Sequence, residues 1–262
     1  MRFKPDHDLH IHSQLSFCSQ NPMQTPQYIL EYGEERGFTT LCLTDHMWDT
    51  KRIPTEDDFY KDQCYEYICR SLPLPKSDKV RFLFGCETDL DHNMVLGIAK
   101  ETMEKLDFII IPLNHFHMGG FTCRGNESSE ELAKLLIKRF DGVLDMDLPF
   151  RKIGIAHLSD ACIGMRYVNA LKLIPDSEYR RIFARAAEKG VGIELNFELE
   201  DIEGENSDAV MTPYFFAKEA GCKFYNGSDI HSPRKAPFVM DIINKAIDIL
   251  DLTEDDKFII GE

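Results

Sequence analysis

Six histidines and two carboxylates of this chain close or directly follow short apolar runs of the kind that form buried strands. They are His10, His12, His46, Glu87, His115, His157, Asp229 and His231. Alternate residues of a strand project to the same side, so the imidazoles of His10 and His12 can reach one point. Neutral imidazole and carboxylate are the ligands that Zn, Mn and Fe ions accept in proteins. The pattern therefore predicts a metal site with enough ligands for more than one ion.

The elements that must position these residues are seven apolar runs alternating with amphipathic stretches. The predicted strands cover residues 8–12, 39–44, 80–87, 107–113, 152–157, 191–197 and 222–228, and the predicted helices cover about 26–35, 132–140, 176–189, 211–220 and 240–250. This order indicates parallel strands with helical crossovers, in an α/β barrel or a doubly wound sheet. In a barrel, the carboxyl ends of all strands meet at one rim, where such folds place their active sites. Residues 48–77, rich in Asp, Pro and Tyr, are expected to form an insertion over one end.

Composition limits the class of protein. The 262 residues are 43% hydrophobic, which predicts one folded domain over residues 1–262, and their net charge of −15 argues against binding long nucleic acids. The longest apolar runs are too short to cross a membrane, and the N-terminus lacks the apolar stretch of a signal peptide. Eight cysteines without closely paired spacing do not resemble a disulfide framework. We therefore expect a reduced cytoplasmic protein without a membrane partner.

The chain resembles the PHP (polymerase and histidinol phosphatase) family through a series of short motifs. They are DLHIHS at 8–13, TDH at 44–46, GCE at 85–87, NH at 114–115, AH at 156–157 and GSDIHSP at 227–233. The resemblance spans residues 8 to about 234. It implies a distorted seven-stranded (βα)7 TIM-like barrel with a trinuclear metal centre that hydrolyses phosphate esters. The strand count obtained from patterning agrees with this implication.

Position by position, the resemblance implies three metal sites holding two or three divalent ions (Zn, Mn or Fe). The first would use His10, His12, Glu87 and Asp229, the second Glu87, His115 and His157, and the third His46 and His231. Cys18 stands eight residues after His10, where PHP phosphatases often carry His or Asp. Either its thiolate is a ligand that favours a softer metal, or it is not a ligand and the third site is weak or empty. His117 is an alternative to His115.

The expected chemistry is attack on phosphorus by a water whose pKa the cations lower, with His10, His12, Glu87 and Asp229 as the catalytic set. Cationic or neutral side chains on the same loops are candidates for binding the phosphate group, and these are Arg124, Arg166, Arg234 and His117. Asp8 and Asp45 are expected to orient ligand imidazoles through their second ring nitrogen.

These features predict a metal-dependent phosphoesterase that acts on a small phosphomonoester similar to histidinol phosphate. Two alternatives remain open at this point. One is a metal-dependent amidohydrolase or deacetylase, and the other is a non-catalytic, metal-stabilised interaction module. Chelator-sensitive phosphatase activity would distinguish the first function from both alternatives.

Overall fold

A computed structural model describes residues 1–19, 21–160, 162–233 and 236–262, without the side chains of 236–238. Within these ranges the strands are β1 His7–Ile11, β2 Thr40–Leu43, β3 Arg81–Phe84, β4 Cys86–Glu87, β5 Ile109–Pro112, β6 Ile153–Ala156, β7 Gly192–Leu195 and β8 Lys223–Asn226. The α-helices are α1 Pro26–Arg36, α2 Tyr65–Ile68, α3 Lys100–Met103, α4 Ser129–Asp145, α5 Met165–Leu173, α6 Asp176–Lys189, α7 Leu199–Glu203, α8 Ser207–Glu219 and α9 Ala236–Ile249.

All paired strands run parallel, in one sheet of order β1-β2-β3 and another of order β4-β5-β6-β7-β8. The predicted α/β fold with parallel strands is therefore confirmed. The single seven-stranded barrel is not confirmed, because the strands divide into sheets of three and five. Residues beyond β8 lie beside β1, since Asp229 N donates to His10 O at 2.8 Å and His12 N donates to Ile230 O at 3.2 Å.

The division between the sheets occurs at Gly85, inside the strand predicted over 80–87. Gly85 N donates to Leu43 O in β2, whereas Cys86 N donates to Phe108 O, next to β5. A Cβ atom at Gly85 would lie 2.4 Å from Phe108 O, so only glycine permits this close approach. The chain therefore changes its pairing partner at this residue, and the strand becomes β3 and β4.

Local capping explains which helices the sequence predicts well. Thr25 accepts a hydrogen bond from Tyr28 N at 3.2 Å, and Gly37 ends α1 at a φ of 72°. Ser128 and Glu131 form a capping box at the start of α4. In contrast, α5 begins without a side-chain cap and is not among the helices predicted from the sequence. In the described ranges, no helix combines the length and apolarity that a membrane crossing requires.

Candidate metal centre

The strand ends bring nine predicted ligands to one place. His10 lies in β1, Glu87 ends β4, and His157 follows the last residue of β6. We call the following residues the histidine cluster: His10, His12, Cys18, His46, Glu87, His115, His157, Asp229 and His231. Parallel strands deliver the residues at their carboxyl ends to the same edge, which is why positions far apart in the chain meet here.

The backbone is strained at two members of the cluster. The φ angles of His157 and Asp229 are 28° and 49°, in the left-handed region that residues other than glycine rarely adopt. Each is held there by a hydrogen bond at its amide: His157 N donates to Glu194 Oε2 at 2.7 Å, and Asp229 N donates to His10 O at 2.8 Å. Such strain persists where the surroundings determine the conformation, and it is typical of functional sites.

Glu87 lies at the centre of the cluster, and its two carboxylate oxygens face different imidazoles. Oε2 lies 3.4 Å from His10 Nε2, 3.2 Å from His12 Nε2 and 3.1 Å from His46 Nδ1. Oε1 lies 3.5 Å from His115 Nε2 and 3.4 Å from His157 Nε2. A carboxylate placed in this way can contact more than one cation.

The donor atoms fit divalent cations. The Nε2 atoms of His10 and His12 face each other at 3.0 Å, and their Nδ1 atoms are engaged elsewhere. The Nε2 atoms are therefore the ring atoms that a cation would contact, together with Asp229 Oδ1, which lies 3.0 Å from His12 Nε2. Among the described residues, the buried Asp229 Oδ1 and His46 Nδ1 atoms make no well-aligned hydrogen bond, although His12 Nε2 and Glu87 Oε2 lie 3.0 and 3.1 Å from them. A cation at this point would satisfy atoms that are otherwise costly to bury.

Buried acceptors orient the imidazoles from behind. Glu194 Oε1 lies 2.6 Å from His10 Nδ1, Asp89 Oδ2 lies 2.9 Å from His115 Nδ1, and Asn114 Oδ1 lies 3.1 Å from His157 Nδ1. Such partners select the ring tautomer that leaves the other nitrogen available to a metal. None of these three acceptors was predicted from the sequence. A carboxylate in the apolar strand 191–197 is the signal that could have indicated Glu194, because buried carboxylates require partners.

Asp45 and Asp8, which were predicted to orient imidazoles, do not contact an imidazole of the cluster directly in the described part of the chain. Asp45 accepts from Ser16 Oγ at 2.7 Å, and Ser16 Oγ lies 2.8 Å from His12 Nδ1, so the serine stands between the carboxylate and the imidazole. Asp8 accepts from the backbone amide of Ser228 at 2.9 Å. The expectation that Asp8 orients an imidazole is therefore corrected: it orients the backbone beside Asp229.

The carboxylates change the pKa values of the imidazoles around them. Burial disfavours a positive charge on His12 and His157 and by itself lowers their pKa values. The Glu87 carboxylate, and for His12 also Asp229, outweighs this effect of burial and raises the pKa of each histidine to about 9. Burial lowers the pKa of His46 to about 3. Without a cation, His12 and His157 therefore hold protons at neutral pH, and a cation must displace them.

A sequence model of the PHP domain matches residues 8–197, which is more than two thirds of the chain. This chain belongs to the PHP domain family. In structure it is similar to histidinol phosphate phosphatase from Lactococcus lactis subsp. lactis Il1403, which was solved in complex with zinc, L-histidinol and phosphate. That enzyme is 17% identical, the match covers 92% of this chain and 94% of that chain, and the TM-score is 0.57. The two proteins thus share the PHP fold, while no curated protein matches this sequence.

In this PHP chain, Cys18 lies with the cluster. Its Sγ atom and one nitrogen each of His12, His46 and His231 all lie within 4.8 Å of one another. Desolvation and the Glu87 carboxylate raise the pKa of the Cys18 thiol above its usual range, so a metal ligand at this position would have to lose a proton on binding. The geometry favours the alternative in which Cys18 is a ligand.

His115 and His117 occupy different environments. His115 is buried and forms a potential ligand set with Glu87 and His157. His117 is exposed, with its ring centroid 5.1 Å from that of His115. Among the described residues, the potential ligand sets include His115 and do not include His117.

The predicted phosphate-binding arginines differ in their surroundings. Arg124 is exposed and paired with Glu131 at 2.7 Å and Glu127 at 3.4 Å, so these carboxylates compete with a phosphate for its guanidinium. Arg166 is half-buried in the first turn of α5. Arg234 lies outside the described residues.

A cavity of about 650 Å³ opens beside the cluster. Gly227, Ser228 and Asp229 form the wall that it shares with the cluster. The rest of the lining combines apolar side chains, such as Phe197 and Ile242, with Asn196, Lys245 and several carboxylates, which are Asp160, Glu198, Asp201 and Asp241. A larger cavity of about 960 Å³, lined by residues of α4 to α6, includes no residue of the cluster.

Proposed function

We propose that this PHP chain is a metal-dependent phosphoesterase that hydrolyses a small phosphomonoester. The observation that supports this proposal most directly is the position of Glu87, whose two oxygens face separate groups of imidazoles. In this proposal residues 1–262 act as one domain, and the two sheets together form a distorted (βα)7 barrel.

The nine residues of the histidine cluster would hold two or three ions of Zn, Mn or Fe. When bound, such ions lower the pKa of a water molecule and neutralise charge on the phosphate. The chain itself supplies the orientation, because Glu194, Ser16 and Asp89 keep His10, His12 and His115 in fixed tautomers. His10, His12, Glu87 and Asp229 form the proposed catalytic set.

The cavity beside Asp229 is the proposed site for the alcohol part of the substrate. Its volume of about 650 Å³ suits a small molecule, and the described part of its lining carries Asp160, Asp201 and Asp241. Carboxylates favour an alcohol that bears an ammonium group. A histidinol-like phosphate fits this description, and Arg166 and Arg234 remain candidates to contact the phosphate group.

The test is hydrolysis of p-nitrophenyl phosphate and histidinol phosphate by the purified protein, before and after chelation and repletion with Zn or Mn. A phosphate ester of a neutral alcohol of similar size tests the role of the acidic lining. We expect chelator-sensitive phosphate release, with a lower KM for the cationic substrate. The Glu87→Gln variant should lose activity, whereas Glu219→Gln, an exposed carboxylate on α8, should retain it.

Metal-loaded protein that releases no phosphate would refute the proposal. Hydrolysis of an amide by the same preparation would then indicate an amidohydrolase. Bound metal without any hydrolysis would instead indicate an interaction module.

A further inference from the structure

Arg139 is a charged side chain enclosed in the protein interior. It lies in α4, its exposed fraction is 0%, and it belongs to the largest fully buried side chains among the described residues. Its guanidinium donates only to backbone carbonyls in the described part of the chain. The acceptors are Leu113 O at 2.8 Å, Leu90 O at 3.0 Å, Thr122 O at 3.2 Å and Asp91 O at 3.4 Å.

These carbonyls belong to three separate segments outside the strands and helices. Leu113 directly follows β5, Leu90 and Asp91 follow β4, and Thr122 lies in the loop before α4. Buried carbonyl groups in irregular segments need hydrogen-bond partners, which neither strands nor helices supply there. A guanidinium has five N–H donors in a rigid plane, more than any other side chain, and can therefore join all three segments.

Each of the three segments determines one feature of His115. Leu113 precedes it by two residues and sets the path of its backbone. Thr122 Oγ1 donates to His115 O at 2.5 Å. Asp89, the neighbour of Leu90, accepts from His115 Nδ1 at 2.9 Å and from Tyr60 OH at 2.5 Å. The backbone, the carbonyl and the ring tautomer of His115 all depend on segments that Arg139 joins.

We propose that Arg139 is a positioning residue for the second cation site, formed by Glu87, His115 and His157. The effect reaches His157 as well, because Asn114, adjacent to Leu113, places its Oδ1 3.1 Å from His157 Nδ1. The inference rests on the proposed metal centre. The imidazoles of His10 and His12 are instead held by Glu194 and Ser16, so we expect the loss of Arg139 to affect the first site less than the second.

The test measures zinc binding rather than activity. Wild-type protein, Arg139→Met, Arg139→Lys and Thr122→Val are equilibrated at a series of free zinc concentrations set by a competing chelator. Bound zinc is then counted by elemental analysis, and circular dichroism establishes that each protein is folded. Ile182→Ala, a core truncation on α6, controls for a general loss of stability.

We expect Arg139→Met to bind one zinc equivalent about 10- to 100-fold more weakly than the wild type. A loss of this size is typical when a residue that orients a metal ligand is removed. The other zinc equivalents should keep their affinity. Arg139→Lys, which retains the charge with fewer donors, should show a smaller shift at the same site. Thr122→Val removes the hydrogen bond from Thr122 Oγ1 to His115 O and leaves the guanidinium of Arg139 in place. If Arg139→Met does not fold, Arg139→Lys and Thr122→Val decide the question.

Folded variants that bind zinc as the wild type does would overturn the inference. An equal weakening of all equivalents, or the same selective loss in Ile182→Ala, would overturn it too, since either result indicates a purely structural role. Wild-type protein that binds none of Zn, Mn and Fe in the same assay would refute the proposed function itself, so the two failures are distinguishable.

Discussion

Substitution of Glu194 by glutamine tests the histidine cluster at a residue that does not face the cations. Glu194 is 1% exposed and accepts two hydrogen bonds, from His10 Nδ1 at 2.6 Å and from His157 N at 2.7 Å. Glutamine has nearly the same shape, but only one of its terminal atoms is an acceptor. In either orientation of the amide, one donor of the pair therefore faces the NH₂ group.

Each orientation weakens one of the two cation sites that Glu194 supports, the first through His10 and the second through His157. If the NH₂ group faces His10, the ring must carry its proton on Nε2, the atom that would bind the cation. If it faces His157 N, the backbone amide that supports a positive φ loses its acceptor. An unpaired buried donor costs about 1–3 kcal/mol. Since about 1.4 kcal/mol corresponds to a factor of ten, zinc affinity should fall roughly 5- to 150-fold.

The assay is competition for zinc between the protein and a chromogenic chelator at neutral pH. Glu219→Gln removes one negative charge from the surface and is the matched control. If Glu194→Gln binds zinc as tightly as the control, the reasoning about ring tautomers is wrong. A loss of the same size in both variants would show that net charge, rather than orientation, determines affinity.

Three further predictions concern the same site. Gly227→Ala should abolish tight zinc binding in equilibrium dialysis, because the new Cβ atom would lie 2.0 Å from Glu194 Oε1; unchanged binding would mean that this carboxylate is free to move. Zinc affinity should rise with pH up to about 9, because the raised pKa values of His12 and His157 keep both rings protonated below that pH. The rise should be roughly tenfold per pH unit for each proton that zinc displaces. Calorimetry in buffers of different ionisation enthalpy would count these protons, and a value of zero would contradict the prediction. Cys18→Ser should remove the thiolate-to-metal charge-transfer absorption of the cobalt-substituted protein, and a spectrum that retains this band would exclude Cys18 as a ligand.

Much of the candidate site could be predicted because its residues occupy equivalent positions relative to the strands. His10, Glu87 and His157 each lie at or near the carboxyl end of a parallel strand, and the topology brings such ends together. Helix α1 could be predicted for a local reason as well, since its Thr25 cap and Gly37 terminus act within a few residues. Information of this kind is present in short segments of sequence.

The residues that support the site could not be predicted in this way. Glu194 and His10 are separated by 184 positions, and nothing in either segment indicates that they meet. Arg124 lies before a predicted helix and Arg139 lies within it, yet the exposed Arg124 pairs with surface carboxylates and the buried Arg139 joins three loops. Burial and partners depend on the packing of distant segments.

The sequence by itself determined the parallel α/β class, the set of ligand types and their order along the chain, because strand periodicity and helix caps are local properties. Only the tertiary structure decided that the third predicted strand divides at Gly85, and that Glu87 faces two groups of imidazoles. It also decided that buried acceptors such as Glu194 and Asp89 select the ring tautomers. The physical reason is that close backbone approach, hydrogen-bond satisfaction and pKa values depend on atoms that the folded chain brings together from distant positions.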